Sequence, residues 1–217
     1  RPDGEVRWVE AAAYPLRGPS GAVDRIVGTI RDVTERERRR RTLSSFHDST
    51  RELAEAASRE AASSRAVEAA EELLDLPFVG VHLYEESSGA LEPAAATDSL
   101  RERVRSLPAF DPGDGRPWEV FVEGEAVLGD GEAGPVADVY GPEVPAPALA
   151  LPLGQHGVML VGAPDHEFEG ETVELAQILA ATLEAALNHV RGRDELAERE
   201  ERLASTRERA DRLERLN

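Results

Sequence analysis

Residues 73–91, LLDLPFVGVHLYEESSGAL, hold the strongest local structural signals in this chain of 217 residues. Pro77 stops a preceding helix, which we predict over residues 65–74. The run from Phe78 to Tyr84 is apolar and aromatic, which is typical of a buried strand. Glu86 to Gly89 then predicts a turn into a second strand. A helix followed by such a hairpin predicts a mixed α+β domain.

The chain downstream continues with similar elements. Residues 108–148 are rich in Gly, Pro and acidic residues, so we expect them to be mostly loop. At about 1.5 Å per residue the last predicted helix is roughly 70 Å long, so we expect its end to project or to pair. The predicted elements are strands at 91–95, 148–153 and 158–162 and helices at 99–106, 118–123 and 171–217.

The first residues predict a β-hairpin over residues 4–33, with apolar and polar residues alternating around Trp8 and with Pro15 ending its first strand. Two strands are too few to be stable alone in water, so we expect the rest of their sheet to precede residue 1. Thr34 and Glu37 have the spacing of a capping box, which predicts a helix that begins at Thr34.

The charge balance excludes some kinds of partner. Asp and Glu number 43 against 25 basic residues, all of them Arg, and the formal net charge is −18. Such a surface repels phosphates, so we expect no direct contact of this chain with nucleic acid or with a membrane. The composition indicates a salt-rich cytoplasm, in which repulsion is screened, although any soluble acidic protein would also show it.

The cysteine count restricts the chemistry further. The chain contains no Cys, which excludes disulfides, zinc–thiolate sites and thiol nucleophiles and fits a reducing cytoplasm. The five His residues show no spacing typical of a metal site, so no metal is predicted. His47-Asp48 resembles the start of a kinase phosphoacceptor motif, which continues with a basic residue and Pro-Leu. Residues 49–53 contain no Pro, so we predict no phosphotransfer at His47.

Two heptad-like stripes predict helices that pair with a second copy of the chain as a parallel homodimer. The first stripe is Leu43, Phe46, Thr50, Leu53 and Ala57, and the second is Leu196, Leu203 and Ala210 with Thr206 and Leu213. The predicted signal-relay residues are Asp32, Thr34, Glu37, Leu43, Phe46, Leu53, Leu196, Leu203 and Leu213.

Several stretches resemble the GAF domains of haloarchaeal regulators. The order of elements over residues 43–190 is also similar to a GAF domain, which implies a central antiparallel sheet flanked by helices. The resemblance assigns no ligand, and the Cys through which bilins attach in phytochrome-type GAF domains is absent. The stretches are Leu73–Pro77, Leu83–Glu86 with Gly89–Leu91, Pro112–Gly115 followed by Trp118, and Leu153–Gly154 with His156–Val158.

The first and last stretches resemble two further families. Asp3-Gly4, Arg7–Glu10 and Gly28 are similar to the last strands of a PAS domain, and Asp32–Arg36 resembles its D-[IV]-T-E-R exit motif. Leu196–Asn217 resembles the connector of bacterio-opsin activator-like transcription regulators, which a helix-turn-helix follows. The predicted organisation is a truncated PAS hairpin at 1–33, a connector helix at 34–58, a GAF-like domain at 43–190 and a coiled-coil connector at 191–217.

These resemblances imply a cytoplasmic, non-enzymatic region that senses a signal and relays it to DNA through a missing C-terminal domain. One alternative is the input region of a PAS–GAF sensor histidine kinase. The other is a GAF enzyme that converts a small molecule, although free-standing GAF reductases use Cys nucleophiles.

The GAF resemblance also implies a loop that covers a concave sheet face, where small ligands bind, and Trp118, Phe121 and Tyr140 fall in or beside this loop. With Tyr84 of the strand they make four aromatic candidates. These ligand-pocket candidates are Tyr84, Trp118, Phe121 and Tyr140. The alternative is that their rings only close the core. No cofactor is predicted; an unidentified small ligand, or a haem on His82, is left open.

Overall fold

The computed structural model describes residues 6–17, 19, 23–36, 48–129, 140, 147–162 and 170–214. The chain divides into two compact units, Arg1–His47 and Asp48–Asn217. Each unit is described by itself below.

The first unit contains the predicted hairpin. Strand β1 (Val9–Arg17) pairs antiparallel with β2 (Val23–Asp32), from Val9 opposite Asp32 onward. The prediction that Pro15 ends the first strand is wrong, because β1 continues two residues beyond it, with Pro15 opposite Ile26. A two-stranded ribbon has only edge strands, and on an edge a residue without an N–H is tolerated.

A hydrogen-bonded cluster fixes the exit from β2. Asp32 Oδ1 accepts from the Thr34 amide at 3.0 Å, and Asp32 Oδ2 accepts from Arg7 at 2.9 Å. Thr34 Oγ1 accepts from the Trp8 amide at 2.9 Å. Helical geometry begins at Thr34, as predicted, whereas Glu37 lies outside the described residues and the capping box stays a prediction.

The second unit is built on a five-stranded antiparallel sheet with the strand order β4-β3-β7-β6-β5. The predicted α+β class is confirmed. The two predicted hairpins form β3 with β4 and β6 with β7, and a short edge strand, β5, was not predicted. The strands are β3 (Phe78–Glu85), β4 (Ala90–Ala96), β5 (Val127–Leu128), β6 (Pro147–Pro152) and β7 (Gly157–Gly162).

The helix before the hairpin, α1 (Arg59–Leu74), begins six residues earlier than predicted. Ser58 caps it by accepting from the Ala61 amide at 3.1 Å. The first turn is stable here because Ala62 and Ser63 are completely buried. The helix ends at Asp75, which adopts the left-handed conformation with φ of 54°, and Pro77 follows.

The unit also contains α2 (Asp98–Arg103), α3 (Gly115–Glu123) and α4 (Gly170–Glu214). Residues 48–54, within the predicted connector helix at 34–58, are helical as well. The predicted helices at 99–106, 118–123 and 171–217 correspond to α2, α3 and α4, with bounds that differ by up to three residues. Helix α4 has 45 residues and packs along α1. It supplies the long C-terminal helix expected from the sequence.

Candidate functional site

The two faces of the sheet follow from the strand register. Residues opposite one another in paired strands share a face, so His82 lies beside Val158 and Gly80 beside Leu160. Ala150 of β6, opposite Leu160, continues the same face. We call this side, which α3 covers, the concave face; the other side we call the helix face, because α1 and α4 contact the sheet there.

Helix α3 covers the concave face with its apolar side. Val120 is buried there in one cluster with Leu91, Phe110, Ala150, Val158 and Leu160. The helix ends at Gly124, whose positive φ of 70° terminates it in the left-handed conformation.

Three of the four ligand-pocket candidates form one aromatic cluster on this face. The Tyr84 ring stacks on Phe121 with centroids 5.3 Å apart, and Trp118 meets Phe121 edge-on at 5.5 Å. Trp118 also lies 6.4 Å from Tyr84, edge-on. Each ring therefore packs against the other two and closes the core at this place.

Tyr140, the fourth candidate, has a different partner. Its hydroxyl lies 2.8 Å from His82 Nε2, within hydrogen-bonding distance, and its ring centroid is 5.9 Å from that imidazole. Gly80 leaves the space for this hydroxyl, since any Cβ at Gly80 would collide with it. The sequence singled out Tyr140 but not its pairing with His82. The local signal for this pairing is Gly80, two residues before His82 on the same strand face, because a residue without a side chain leaves room for a partner of the imidazole.

Burial determines the electrostatics of this pair. His82 is completely buried, and this desolvation lowers the pKa of its imidazole from 6.5 to about 3. Burial raises the pKa of the Tyr140 hydroxyl above its usual value. Both groups are therefore neutral at physiological pH, and the bond between them is one of two neutral partners.

The other nitrogen of His82 lacks a partner in the described part of the chain. Nδ1 is buried and makes no hydrogen bond there, while the ring lies 4.7 Å from Phe110. His82 thus packs as a core residue with one polar atom unsatisfied. Its Nε2, the nitrogen on the Tyr140 side, is already engaged by the Tyr140 hydroxyl.

A second concave region lies where α4 leaves the sheet. It is a groove of about 440 Å³ between the end of β3, the start of α1 and the middle of α4, lined by Arg59, Tyr84, Gln155, His156, Arg191 and five carboxylates. Arg59 donates to the Tyr84 carbonyl at 3.0 Å and lies 3.8 Å from Glu85. The groove thus has charges of both signs.

The predicted relay residues fall into two groups. Leu53 is 1% exposed inside the second unit, so its side chain is already covered by its own chain and is not presented to a second copy. Asp32 and Thr34 form the exit cluster of the first unit. The hydrogen bonds that Asp32 accepts from Thr34 lower the pKa of its carboxyl to about 2, and the bond from Arg7 contributes less. Glu37, Leu43 and Phe46 lie outside the described residues.

The second half of α4 presents the other relay residues to solvent. Leu196 and Leu203 are 59% and 58% exposed, and every residue from Arg191 to Thr206 is exposed. Ion pairs run along the helix, from Arg191 to Glu195 and from Glu198 to Arg202. Leu213 lies in α4, beyond the residues whose side chains are described.

Metal sites and membrane spans are both absent from the described residues. No group of three or more His, Cys, Asp and Glu side chains is placed to hold a metal ion in that part of the chain. Among the same residues, no helix has the length and apolar content that a membrane span requires. His47 and His166 lie outside them, whereas His189 is exposed on α4.

Solved structures of low sequence identity share the fold. The GAF domain of a phosphoenolpyruvate-protein phosphotransferase from Coxiella burnetii is 19% identical, with a TM-score of 0.58 over 71% of this chain and 96% of that one. The corresponding Acinetobacter domain is 16% identical, with a TM-score of 0.57 over 69% and 94%. Free methionine-R-sulfoxide reductase from Neisseria meningitidis, solved with its substrate, is 18% identical, with a TM-score of 0.57 over 68% and 88%.

Comparison with family models assigns both units. No curated protein matches the chain. Residues 1–38 match the model of the PAS fold, and residues 56–188 match that of the GAF domain. These matches support a PAS/GAF sensory region. Since the second one spans more than half of the sequence, the chain belongs to the GAF domain family.

Proposed function

We propose that this chain is the signal-sensing and relay region of a cytoplasmic transcription regulator. In this proposal a conformational change of the PAS and GAF units passes through paired helices to a DNA-binding domain outside this sequence. The observation that carries it is the division of α4. Its first half packs one face against α1 and the GAF sheet, and its second half leaves two leucines, seven residues apart, more than half exposed.

An exposed apolar stripe on a helix is stabilised when a second helix covers it. We propose a second copy of the chain as that partner. Two ion pairs on this half of α4 lie within the helix, between Arg191 and Glu195 and between Glu198 and Arg202. We propose that apolar contacts of Leu196 and Leu203 hold the two copies together. The net charge of −18 opposes association, and concentrated salt screens this repulsion. A salt-rich, haloarchaeal cytoplasm fits both the high negative charge and the proposed dimer.

We also propose that the region has no enzymatic activity. A solved structure with the same fold is a reductase. Free-standing GAF reductases of that kind use Cys nucleophiles, and this chain contains no Cys. The described polar groups on the concave face are a neutral His and a neutral Tyr bonded to each other, which suits packing or ligand recognition.

Light scattering in 3 M KCl tests the dimer. We expect a dimer at micromolar concentration for the unaltered chain and a monomer for the variant L196E/L203E, whose carboxylates would lie in the apolar seam. The matched control is A197E/A204E, which adds the same charges at the same spacing one residue away and is expected to remain a dimer. A monomeric unaltered chain, or equal effects of the two variants, would contradict the proposal.

The sequence of the full-length gene shows which output domain follows this chain. A helix-turn-helix encoded after residue 217 would support the transcription regulator. A histidine phosphoacceptor helix followed by an ATP-binding domain would instead make this chain the input region of a sensor histidine kinase.

A further inference from the structure

The short turn between β6 and β7 contacts both strand β3 and the long helix α4. We call residues 153–157, which include the 3-10 helix Gly154–His156, the β6–β7 turn. Two backbone hydrogen bonds close it, from the His156 amide to the Leu153 carbonyl at 3.0 Å and from the Leu153 amide to the Gly157 carbonyl at 2.9 Å. These bonds tie the two ends of the turn to each other.

On its sheet side, the turn touches the strand that carries the His82–Tyr140 pair. Gly157 lies opposite Leu83 in the ladder. Its φ is +148°, and a Cβ at this position would collide with the carbonyl oxygen of His82. Only glycine allows this approach. The turn is therefore in direct backbone contact with β3 at His82.

On its other side, the turn is bonded to α4. His156 Nε2 donates to the Asn188 side-chain oxygen over 3.0 Å, and His156 is only 6% exposed. One turn earlier on the helix, the Glu184 side chain fills the space beside Gly154, so that a Cβ at that glycine would collide with it. The turn thus touches α4 at two successive turns of the helix.

These contacts lie where α4 changes from packed to exposed. Val190 is buried, and the exposed half begins at Arg191. Asn188 therefore belongs to the last helical turn that the sheet still supports. The His156–Asn188 bond thus lies directly before the exposed turns, whose first residues face the groove that Arg59 and Tyr84 also line.

We propose that the β6–β7 turn couples the concave face to the exposed half of α4. The connection runs from the Tyr140–His82 pair through the His82 carbonyl to Gly157, and from His156 to Asn188. It rests on the proposed relay function and names the contact through which that relay reaches the helix. His156 and Asn188 are positioning residues, because they touch the turn and the helix and not the concave face.

Arg59 offers a competing route. It donates to the Tyr84 carbonyl and belongs to α1, which packs on α4. A signal on the concave face that reaches Tyr84 would pass to α1 rather than to the β6–β7 turn. The two routes have different residues and are distinguished by mutation.

The test is a double-mutant cycle read by amide hydrogen exchange of residues 184–196. The variant Y140F removes the hydroxyl from His82 and perturbs the concave face. We expect it to speed exchange in this stretch by about fivefold or more, the lower end of coupling between linked sites.

In an N188A background, Y140F should not change the exchange rates of residues 184–196 any further. N188D keeps an acceptor oxygen for His156 and should restore the response. Q177A, at an exposed position of α4 away from the turn, is the control and should preserve the response.

The outcomes separate this inference from the proposed function. If Y140F speeds exchange equally with and without the Asn188 side chain, but not in an R59A background, the signal reaches α4 through α1. That result overturns the inference and leaves the relay function standing. If Y140F changes exchange on the concave face and nowhere in residues 184–196, no signal reaches the helix. That result overturns both the coupling through the β6–β7 turn and the relay function.

Discussion

The two faces of the GAF sheet differ in chemistry although the same strands build both. On the helix face, β3 and β7 present Val79, Val81 and Met159, which are completely buried and purely apolar. On the concave face β3 presents Gly80 and His82, with Tyr140 bonded to the imidazole, and β7 presents Val158 and Leu160 beside them. The helix face thus serves packing alone. The concave face carries the polar and titratable groups through which a ligand or a proton could change the domain.

The largest expected effect is on the helix face. Replacing the completely buried Met159 with Ala leaves a cavity, which should lower the free energy of unfolding by about 2–5 kcal/mol. Urea-induced unfolding, followed by circular dichroism, measures it. M159L conserves volume and should cost less than about 1.5 kcal/mol. A loss for M159A no larger than that for M159L would mean that this face is loosely packed.

A pH titration of stability distinguishes the concave face from the helix face. Since burial lowers the pKa of His82 from 6.5 to about 3, its imidazole stays neutral in the folded state between these values. The unfolded chain binds a proton there as pH falls below 6.5, so the folded state loses stability. From pH 7.5 to 5.5 we expect a loss of about 1.3 kcal/mol from this residue.

The measurement compares urea unfolding of the unaltered chain and H82Q at the two pH values. All other ionisable groups are common to the two proteins, so their contributions cancel in the difference. The unaltered chain should lose about 1.3 kcal/mol more than H82Q over this interval. An equal loss in both would show that His82 titrates normally and that the concave face is open to water.

Four of the five strands of the GAF sheet could be predicted because each carries a local sequence signal, whereas β5 has only two residues and was missed. The apolar run from Phe78 and the turn ending at Gly89 place β3 and its partner to within one residue. The start of α1 was missed because two consecutive serines, Ser63 and Ser64, weaken the local helix propensity. Burial of that turn in the folded domain overrides the local preference.

The candidate site was only partly predictable, for a related reason. Trp118 and Phe121 lie in one helix, so their proximity followed from the helical spacing. The partners His82 and Tyr140 are 58 residues apart, and His156 and Asn188 are 32 apart. Nothing local in the sequence specifies such contacts, because the packing of the sheet against distant segments creates them.

The smallest expected effect concerns the aromatic cluster of the concave face. Tyr84 and Phe121 stack with an interplanar angle of 24°. Both rings are half-buried, so a double-mutant cycle with Y84L and F121L should give a coupling energy of about 0.5–1 kcal/mol, in the lower part of the range for aromatic pairs. The control cycle combines Y84L with V122A, at a residue that is 65% exposed, and should give a coupling close to zero. If Tyr84 and Phe121 also failed to couple, the rings would contribute apolar area alone, as the side chains of the helix face do. The difference between the two faces would then reduce to the His82–Tyr140 pair.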